Sequence, residues 1–108
     1  MKPVSFLGDA LLALRAFPID VRQRAGYQLD RVQRGLDPDD WKSMPTVGSG
    51  VREIRIRDDS GAFRVLYLAA RKEAVYVLHC FQKKSTRTNR SDINLGKLRF
   101  KQLLKEIR

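Results

Sequence analysis

Basic side chains and one histidine are concentrated in two neighbouring apolar segments of this chain. Arg64 lies in the run 63–68, which is otherwise rich in strand-forming residues. A second apolar run ends in the only histidine, His79, and Lys83 and Lys84 follow it closely. A guanidinium and two ammonium groups are suited to holding a phosphate, and a histidine can transfer protons near neutral pH. This spacing predicts a site that holds or cuts RNA.

A ribonuclease that works without a metal needs a proton acceptor, a proton donor and cations around the phosphate. The ribose 2′-hydroxyl attacks the adjacent phosphorus, and negative charge builds up in the transition state. We expect the catalytic groups to be Arg55, Arg64, His79, Lys83 and Lys84. We expect further RNA contacts from Arg57, Arg87, Arg90 and Lys97.

Several of these residues also have a structural interpretation, which the sequence leaves open. Arg64 could form an ion pair with a carboxylate such as Glu53 instead of contacting a phosphate. Glu53 itself could be a general base or the salt-bridge partner of the arginines beside it. His79 could be a hydrogen-bonded core residue. Because side chains alternate along a strand, Arg64 and Tyr67 are expected on opposite faces, with Tyr67 in the core.

The charge of the chain is large and unevenly distributed. The formal net charge is +10 over 108 residues. Residues 82–108 carry nine basic and two acidic groups, whereas residues 1–50 carry seven and six. Such a concentration of charge is typical of a protein that binds a polyanion, although a solvated surface is the simpler alternative.

Composition limits the class of protein. A length of 108 residues with 43% hydrophobic residues predicts a single domain that spans the whole chain. One cysteine and one histidine cannot form a disulfide or a standard zinc site, so no metal and no cofactor is expected. The apolar runs are shorter than the roughly 20 residues that cross a bilayer. We therefore expect a cytoplasmic protein without a membrane partner.

Hydrophobic periodicity predicts two helices in the first third of the chain. Asp9 can cap a short helix over residues 10–16. A second helix has apolar residues spaced four, four and three apart between residues 21 and 32, and Gly35 can end it. The two helices are expected to form a hairpin.

Three β-rich runs follow at residues 51–57, 63–68 and 74–81, after a connector over residues 36–50. Turn residues between the runs predict an antiparallel meander. Residues 91–92 can cap a last helix that runs to the terminus. Its apolar face is expected to contain Ile93, Phe100, Leu104 and Ile107. The fold class is therefore α+β, with two N-terminal helices packed on a three- to four-stranded antiparallel sheet and a C-terminal helix.

Several motifs, taken together, resemble a known protein family. The densest are VREIRI at residues 51–56, FRVLY at 63–67 and VLHCFQKK at 77–84. The start at residues 6–9 and the helix end at residues 27–35 are also similar. The chain resembles the RelE/HigB superfamily of bacterial toxins, in its phage-derived HigB-like branch. The resemblance covers nearly the whole sequence.

The resemblance implies a RelE-like fold and a type II toxin that cuts mRNA in the decoding site of the ribosome. It also implies a neutralising helix-turn-helix antitoxin, with operator DNA bound only through that antitoxin. By position, Arg64 matches the arginine of the family's strand motif and Arg55 the basic residue of the preceding strand. Lys83 and Lys84 match the basic cluster after the last strand.

The sequence departs from the family pattern in two places. Thr88 is followed by Asn89, where many relatives have a proline. No tyrosine lies between Arg90 and Asn94, a region from which some members draw a catalytic aromatic residue. His79 or a purely charge-based mechanism would have to replace it. Two other functions stay open: a non-catalytic basic module that binds nucleic acid, and an inactive phage-derived interaction protein.

Overall fold

A computed structural model describes residues 1–107 of the chain. Its elements, in chain order, are β1 (Val4–Phe6), α1 (Ala10–Arg15), α2 (Ile19–Gln33), β2 (Trp41–Ser43), β3 (Val51–Asp58), β4 (Gly61–Leu68), β5 (Val75–Lys83) and α3 (Arg90–Glu106). The α+β class is confirmed. The expected end of the last helix at Arg108 lies outside the described residues. Between residues 1 and 107, no helix has the length and apolar character needed to cross a membrane.

The sheet has five strands in the order β1-β5-β4-β3-β2, instead of the three or four expected. The strands β3, β4 and β5 form the antiparallel meander that the sequence predicts. The edge strand β1 pairs with β5 in parallel, and β2 pairs with β3 in antiparallel orientation. Each edge strand has three residues, which is too few for a recognisable alternation of polar and apolar side chains.

Helices cover both faces of the sheet, so the molecule has two apolar cores. The core beneath α1 and α2 includes Val21, Leu29, Ile54, Val65, Tyr67 and Cys80. The core beneath α3 includes Met44, Leu66, Leu68, Leu78, Phe81 and Leu103. The alternation predicted for β4 is confirmed, because Tyr67 and Leu66 belong to different cores. Cys80 is a buried small hydrophobe as expected, and burial raises the pKa of its thiol to about 12.

A β-bulge in β5 determines which of its side chains face α3. Leu66 pairs with His79 and Tyr67 with Val77, so Leu78 is an extra residue on β5. Side chains on either side of the bulge therefore change phase relative to a regular strand. As a result, His79 and Lys83 lie on the same face of the sheet as Leu78.

The helix ends are formed differently from the sequence-based expectation. Asp9 precedes α1, but its side chain makes no capping hydrogen bond and instead accepts one from Arg99 of α3. Arg99 also donates to the backbone oxygen of Leu78 at 2.9 Å and is 8% exposed. Gly35 follows α2 with a φ of +83°, a conformation that favours glycine.

The last helix has its cap and its apolar face shifted by a residue or more. The side chain of Asn89, rather than Ser91 or Asp92, accepts the capping hydrogen bond, from the Ser91 amide at 2.9 Å. Leu103 is 2% exposed and Leu104 is 42% exposed, so the prediction that Leu104 belongs to the buried face is wrong. Adjacent residues of a helix point in different directions, so only one of these two leucines faces the sheet.

Candidate functional site

A groove of about 440 Å³ opens on the α3 face of the sheet, beside the loop 84–89. We call it the basic groove. Its charged lining consists of five basic side chains and one acidic side chain: Lys42, Arg55, Arg64, Lys83, Arg87 and Glu53. Neutral lining comes from residues 43–46, Thr86, Thr88 and Ile93. An excess of cations in one concave surface attracts a polyanion.

Strand pairing brings the groove residues together from distant parts of the sequence. Lys42 of β2 pairs with Glu53 of β3, and Arg55 of β3 pairs with Arg64 of β4. Directly opposed residues in antiparallel strands have neighbouring side chains on one face. Lys83 joins them from the end of β5, on the face that the bulge selects. The site is therefore a product of the sheet register.

A buried ion pair forms the floor of the groove. Arg64 Nε lies 3.3 Å from Glu53 Oε1, and the two side chains are 5% and 4% exposed. Arg64 also donates from Nη1 to the carbonyl oxygen of Phe63 at 3.0 Å. Glu53 Oε2 and Arg64 Nε have no hydrogen-bond partner among residues 1–107, so the attraction between them is mainly Coulombic.

This arrangement contains one of the contacts that the sequence left open for Arg64. Arg64 does form the ion pair with Glu53 that the sequence left open as an alternative to phosphate contact. Its guanidinium lies beneath the groove surface, where it adds positive potential without being freely exposed. It remains on the same face of the sheet as Lys83.

Burial and neighbouring charges shift the pKa values of two groove residues, Glu53 and Lys83. Burial raises the pKa of Glu53, and the nearby Arg64 charge opposes that increase. Burial lowers the pKa of Lys83, and the Arg64 charge lowers it further. The carboxyl and amine pKa values are therefore shifted towards each other, as at sites that transfer protons.

Positive charge continues from the groove along β3. Arg55 is 40% exposed and its Nη2 forms a 2.9 Å ion pair with Asp40 Oδ1. Arg57 does not line the groove, but it shares an adjacent recess of about 380 Å³ with Arg55 and Arg64. The positively charged surface therefore extends from the groove to Arg57.

A larger recess of about 660 Å³ lies between α2 and the outer edge of β3. Its charged residues are three acidic and three basic: Asp20, Asp39, Asp40, Arg24, Arg55 and Arg57. The charges balance, which makes this recess a poorer phosphate site than the smaller basic groove.

Comparison with known proteins assigns the chain to a family. A model of the phage-derived Gp49-like proteins (DUF891) matches residues 13–101. The chain belongs to this family. The Gp49-like family is part of the RelE/HigB-like toxin clan, which confirms the resemblance at that level without assigning a HigB branch. No curated protein and no solved structure matches the chain significantly.

In this Gp49-like chain, the histidine lies outside the groove. His79 is 8% exposed, and its Nε2 lies 2.8 Å from Asp92 Oδ1 in the first turn of α3. Its ring stacks on Phe81 with the centroids 5.0 Å apart. Its Nδ1 is buried without a hydrogen-bond partner in the described part of the chain. The structure thus agrees with the core interpretation of His79, whose side chain is 10% exposed.

The other basic residues singled out in the sequence separate into two groups. Arg87 lines the groove from the loop before α3. Lys84, Arg90 and Lys97 are exposed but do not line it. Arg90 begins α3, and Lys97 lies further along the same helix. The role in RNA binding or catalysis that the sequence suggested for these three residues stays a prediction.

Sequence reasoning missed Lys42 and two threonines, Thr86 and Thr88, as groove residues. Lys42 belongs to the three-residue strand β2, and only its pairing with Glu53 places it in the site. Glu53 was considered but not selected. A carboxylate on an alternating strand between arginines was the available signal for it.

Proposed function

We propose that this chain is the toxin of a type II toxin-antitoxin system and that it cleaves mRNA on the ribosome without a metal ion. The observation that carries the proposal is the basic groove, with accessible cations above a buried Glu53–Arg64 pair. The groove occurs in a member of the RelE/HigB-like toxin clan. Clan membership supports the toxin class, and the groove supports RNA as the substrate.

In the proposed reaction, the exposed cations hold the scissile phosphate. Lys83 stands on one side of the groove, Arg87 in the loop and Lys42 on the edge strand. Arg55 closes the ring, with part of its charge already balanced by Asp40. Fixed positive charges stabilise the phosphorane that forms when the 2′-hydroxyl attacks, because they require no reorganisation during the reaction.

The proposal includes three partners. A cognate helix-turn-helix antitoxin would neutralise the toxin, and operator DNA would be contacted only through that antitoxin. The ribosome would present mRNA in its decoding site, so the protein would act in the cytoplasm. Clan membership supports an antitoxin partner in general, and the basic surface supports an encounter with ribosomal RNA.

Expression of the chain without an antitoxin tests the proposal. We expect growth arrest and mRNA cut at positions in phase with codons. The double variant Lys83→Ala/Arg87→Ala should relieve the arrest, because it removes two groove cations. The matched control Arg15→Ala/Lys72→Ala removes the same charge from exposed positions away from the groove and should remain toxic. Normal growth with intact transcripts from the wild-type chain would contradict the proposal.

A second candidate function is a non-catalytic module that binds RNA. It is favoured by the burial of His79 and Arg64, which are only 8% and 4% exposed. Such a module would bind single-stranded RNA and leave it intact on and off the ribosome. Growth inhibition without any new RNA ends would support this candidate over the nuclease.

A further inference from the structure

Cleavage by the 2′-hydroxyl requires two proton transfers. The groove must supply at least the proton for the departing 5′-oxygen. The O2′–P bond forms and the P–O5′ bond breaks, giving a 2′,3′-cyclic phosphate and a 5′-hydroxyl. One proton leaves the 2′-oxygen, and one must reach the departing 5′-oxygen, which is a poor leaving group as an alkoxide. The donor must be titratable and must be accessible from the groove.

Few groove residues meet both conditions. A guanidinium group is too weak an acid to release its proton at physiological pH, so the groove arginines are not considered as the donor. Glu53 is 3% exposed and lies beneath the surface. His79, 8% exposed and bound to Asp92, lies outside the groove. Within the described groove lining, Lys42 and Lys83 remain as candidates.

The two lysines differ in their surroundings. Lys42 is exposed on the edge strand β2. Lys83 is half-buried at the end of β5, on the face that carries the buried Arg64. Its cross-strand partner is Ala62, and Lys83 lines the groove together with Arg64 and Glu53. Partial burial beside a fixed cation makes an ammonium group more ready to lose a proton.

We propose that Lys83 is the general acid, donating its Nζ proton to the departing 5′-oxygen, and that the 2′-hydroxyl proton passes to water. Glu53 and Arg64 are positioning residues beneath it, which set its charge environment without touching the RNA. This assignment rests on the proposed nuclease function. It gives Lys83 a role distinct from that of the cations that only hold the phosphate.

Substitution of the lysine by arginine separates the two roles. Lys83→Arg keeps the positive charge and the grip on the phosphate, but its guanidinium retains its proton. We expect RNA binding within about twofold of wild type and cleavage reduced by about 100-fold, the lower end of general acid catalysis. The control Lys72→Arg makes the same change at an exposed lysine outside the groove and should leave both quantities unchanged.

A substrate with sulfur in place of the bridging 5′-oxygen makes the test specific for proton donation. A thiolate leaves without protonation, because a thiol has a pKa of about 8.5. The Lys83→Arg and Lys83→Ala defects should therefore largely disappear on this substrate. An equal defect on both substrates, or nearly full activity of Lys83→Arg, would overturn the assignment. A larger loss in Lys84→Arg would transfer it to the neighbouring lysine.

The pH dependence of cleavage provides a second readout that a structural role would not change. The charged groups facing Lys83 are Arg64 on β4, Glu53 and Arg55 on β3, Lys42 on β2 and Arg87 in the loop. A general acid must be protonated, so the rate should fall as pH rises through its pKa. The variant Lys42→Gln, at an exposed position, removes a cation that lowers the pKa of Lys83. The alkaline fall should therefore move to higher pH.

Failure of the nuclease function and failure of the Lys83 assignment give different experimental results. If wild-type protein cuts neither substrate on programmed ribosomes, the nuclease function fails and the acid assignment fails with it. If wild type cuts and the alkaline fall is unchanged in Lys42→Gln, only the assignment of Lys83 fails.

Discussion

At the scale of single residues, the buried Glu53–Arg64 pair is the unusual feature of the molecule. Removing one member of a buried pair leaves the other charged and unpaired, at a cost of about 3 to 5 kcal/mol. We therefore expect Arg64→Met and Glu53→Gln each to lower the free energy of unfolding by about 3 kcal/mol. The double variant should cost clearly less than the sum. Denaturant unfolding measures all three, and strictly additive losses would show that the pair is not coupled.

The same pair predicts a pH dependence of stability. In the folded chain, burial raises the pKa of Glu53 above its ordinary value of 4.5. A raised folded pKa stabilises the fold at pH below the unfolded value, and this contribution is lost as pH rises through the folded pKa. Arg64→Met removes the strongest opposing charge, so its stability should fall more steeply above pH 4.5 than that of the wild type. The double variant Arg64→Met/Glu53→Gln has no carboxyl group at position 53. The extra fall in its stability above pH 4.5 should therefore disappear.

At the scale of elements, Arg99 connects α3 to the sheet and to the start of α1 through hydrogen bonds. This side chain bonds the Leu78 carbonyl oxygen and Asp9, which are far apart in sequence. Arg99→Met leaves a buried carbonyl oxygen without its donor, which costs about 1 to 3 kcal/mol. We expect a lower thermal midpoint for Arg99→Met and little change for Lys101→Met, an exposed position on the same helix. Equal midpoints for the two variants would contradict this role.

The long elements could be predicted from the sequence, and the short ones could not. The helix α2 has a clear helical period, and β4 has alternating side chains whose faces were assigned correctly. The strand β2 and the bulge at Leu78 are specified by their neighbours, because three residues or one extra residue leave no periodic signal. The groove depends on both features, since β2 contributes Lys42 and the bulge orients Lys83. The basic character of the site and its arginines and Lys83 were therefore predictable, while the contribution of Lys42 was not.

At the scale of the whole molecule, positive charge is concentrated on the α3 side. Near α2 and β2, arginines are paired with carboxylates, as in the 2.9 Å contacts Arg34–Asp30 and Arg52–Asp37. Residues 82–108 carry nine basic and two acidic groups. The polyanion should therefore approach from the side of the groove and α3.

Salt dependence of RNA binding tests this distribution. Each phosphate contact with single-stranded RNA contributes about 0.7 to the slope of log affinity against log salt concentration. Arg87→Gln, in the groove, should lower the slope by about that amount. Arg34→Gln, whose guanidinium is already paired with Asp30, should leave it unchanged. Fluorescence anisotropy at several salt concentrations gives both slopes, and identical changes would show that binding does not involve the groove.

The most direct test of the central claim, that the basic groove cleaves RNA, is a reconstituted reaction of purified chain, programmed ribosomes and end-labelled mRNA. We expect cleavage in the presence of a metal chelator that leaves ribosomes assembled, with a 2′,3′-cyclic phosphate on one product and a 5′-hydroxyl on the other. Lys83→Ala/Arg87→Ala should give intact message. Intact message with the wild-type chain, or products carrying a 5′-phosphate, would contradict the account.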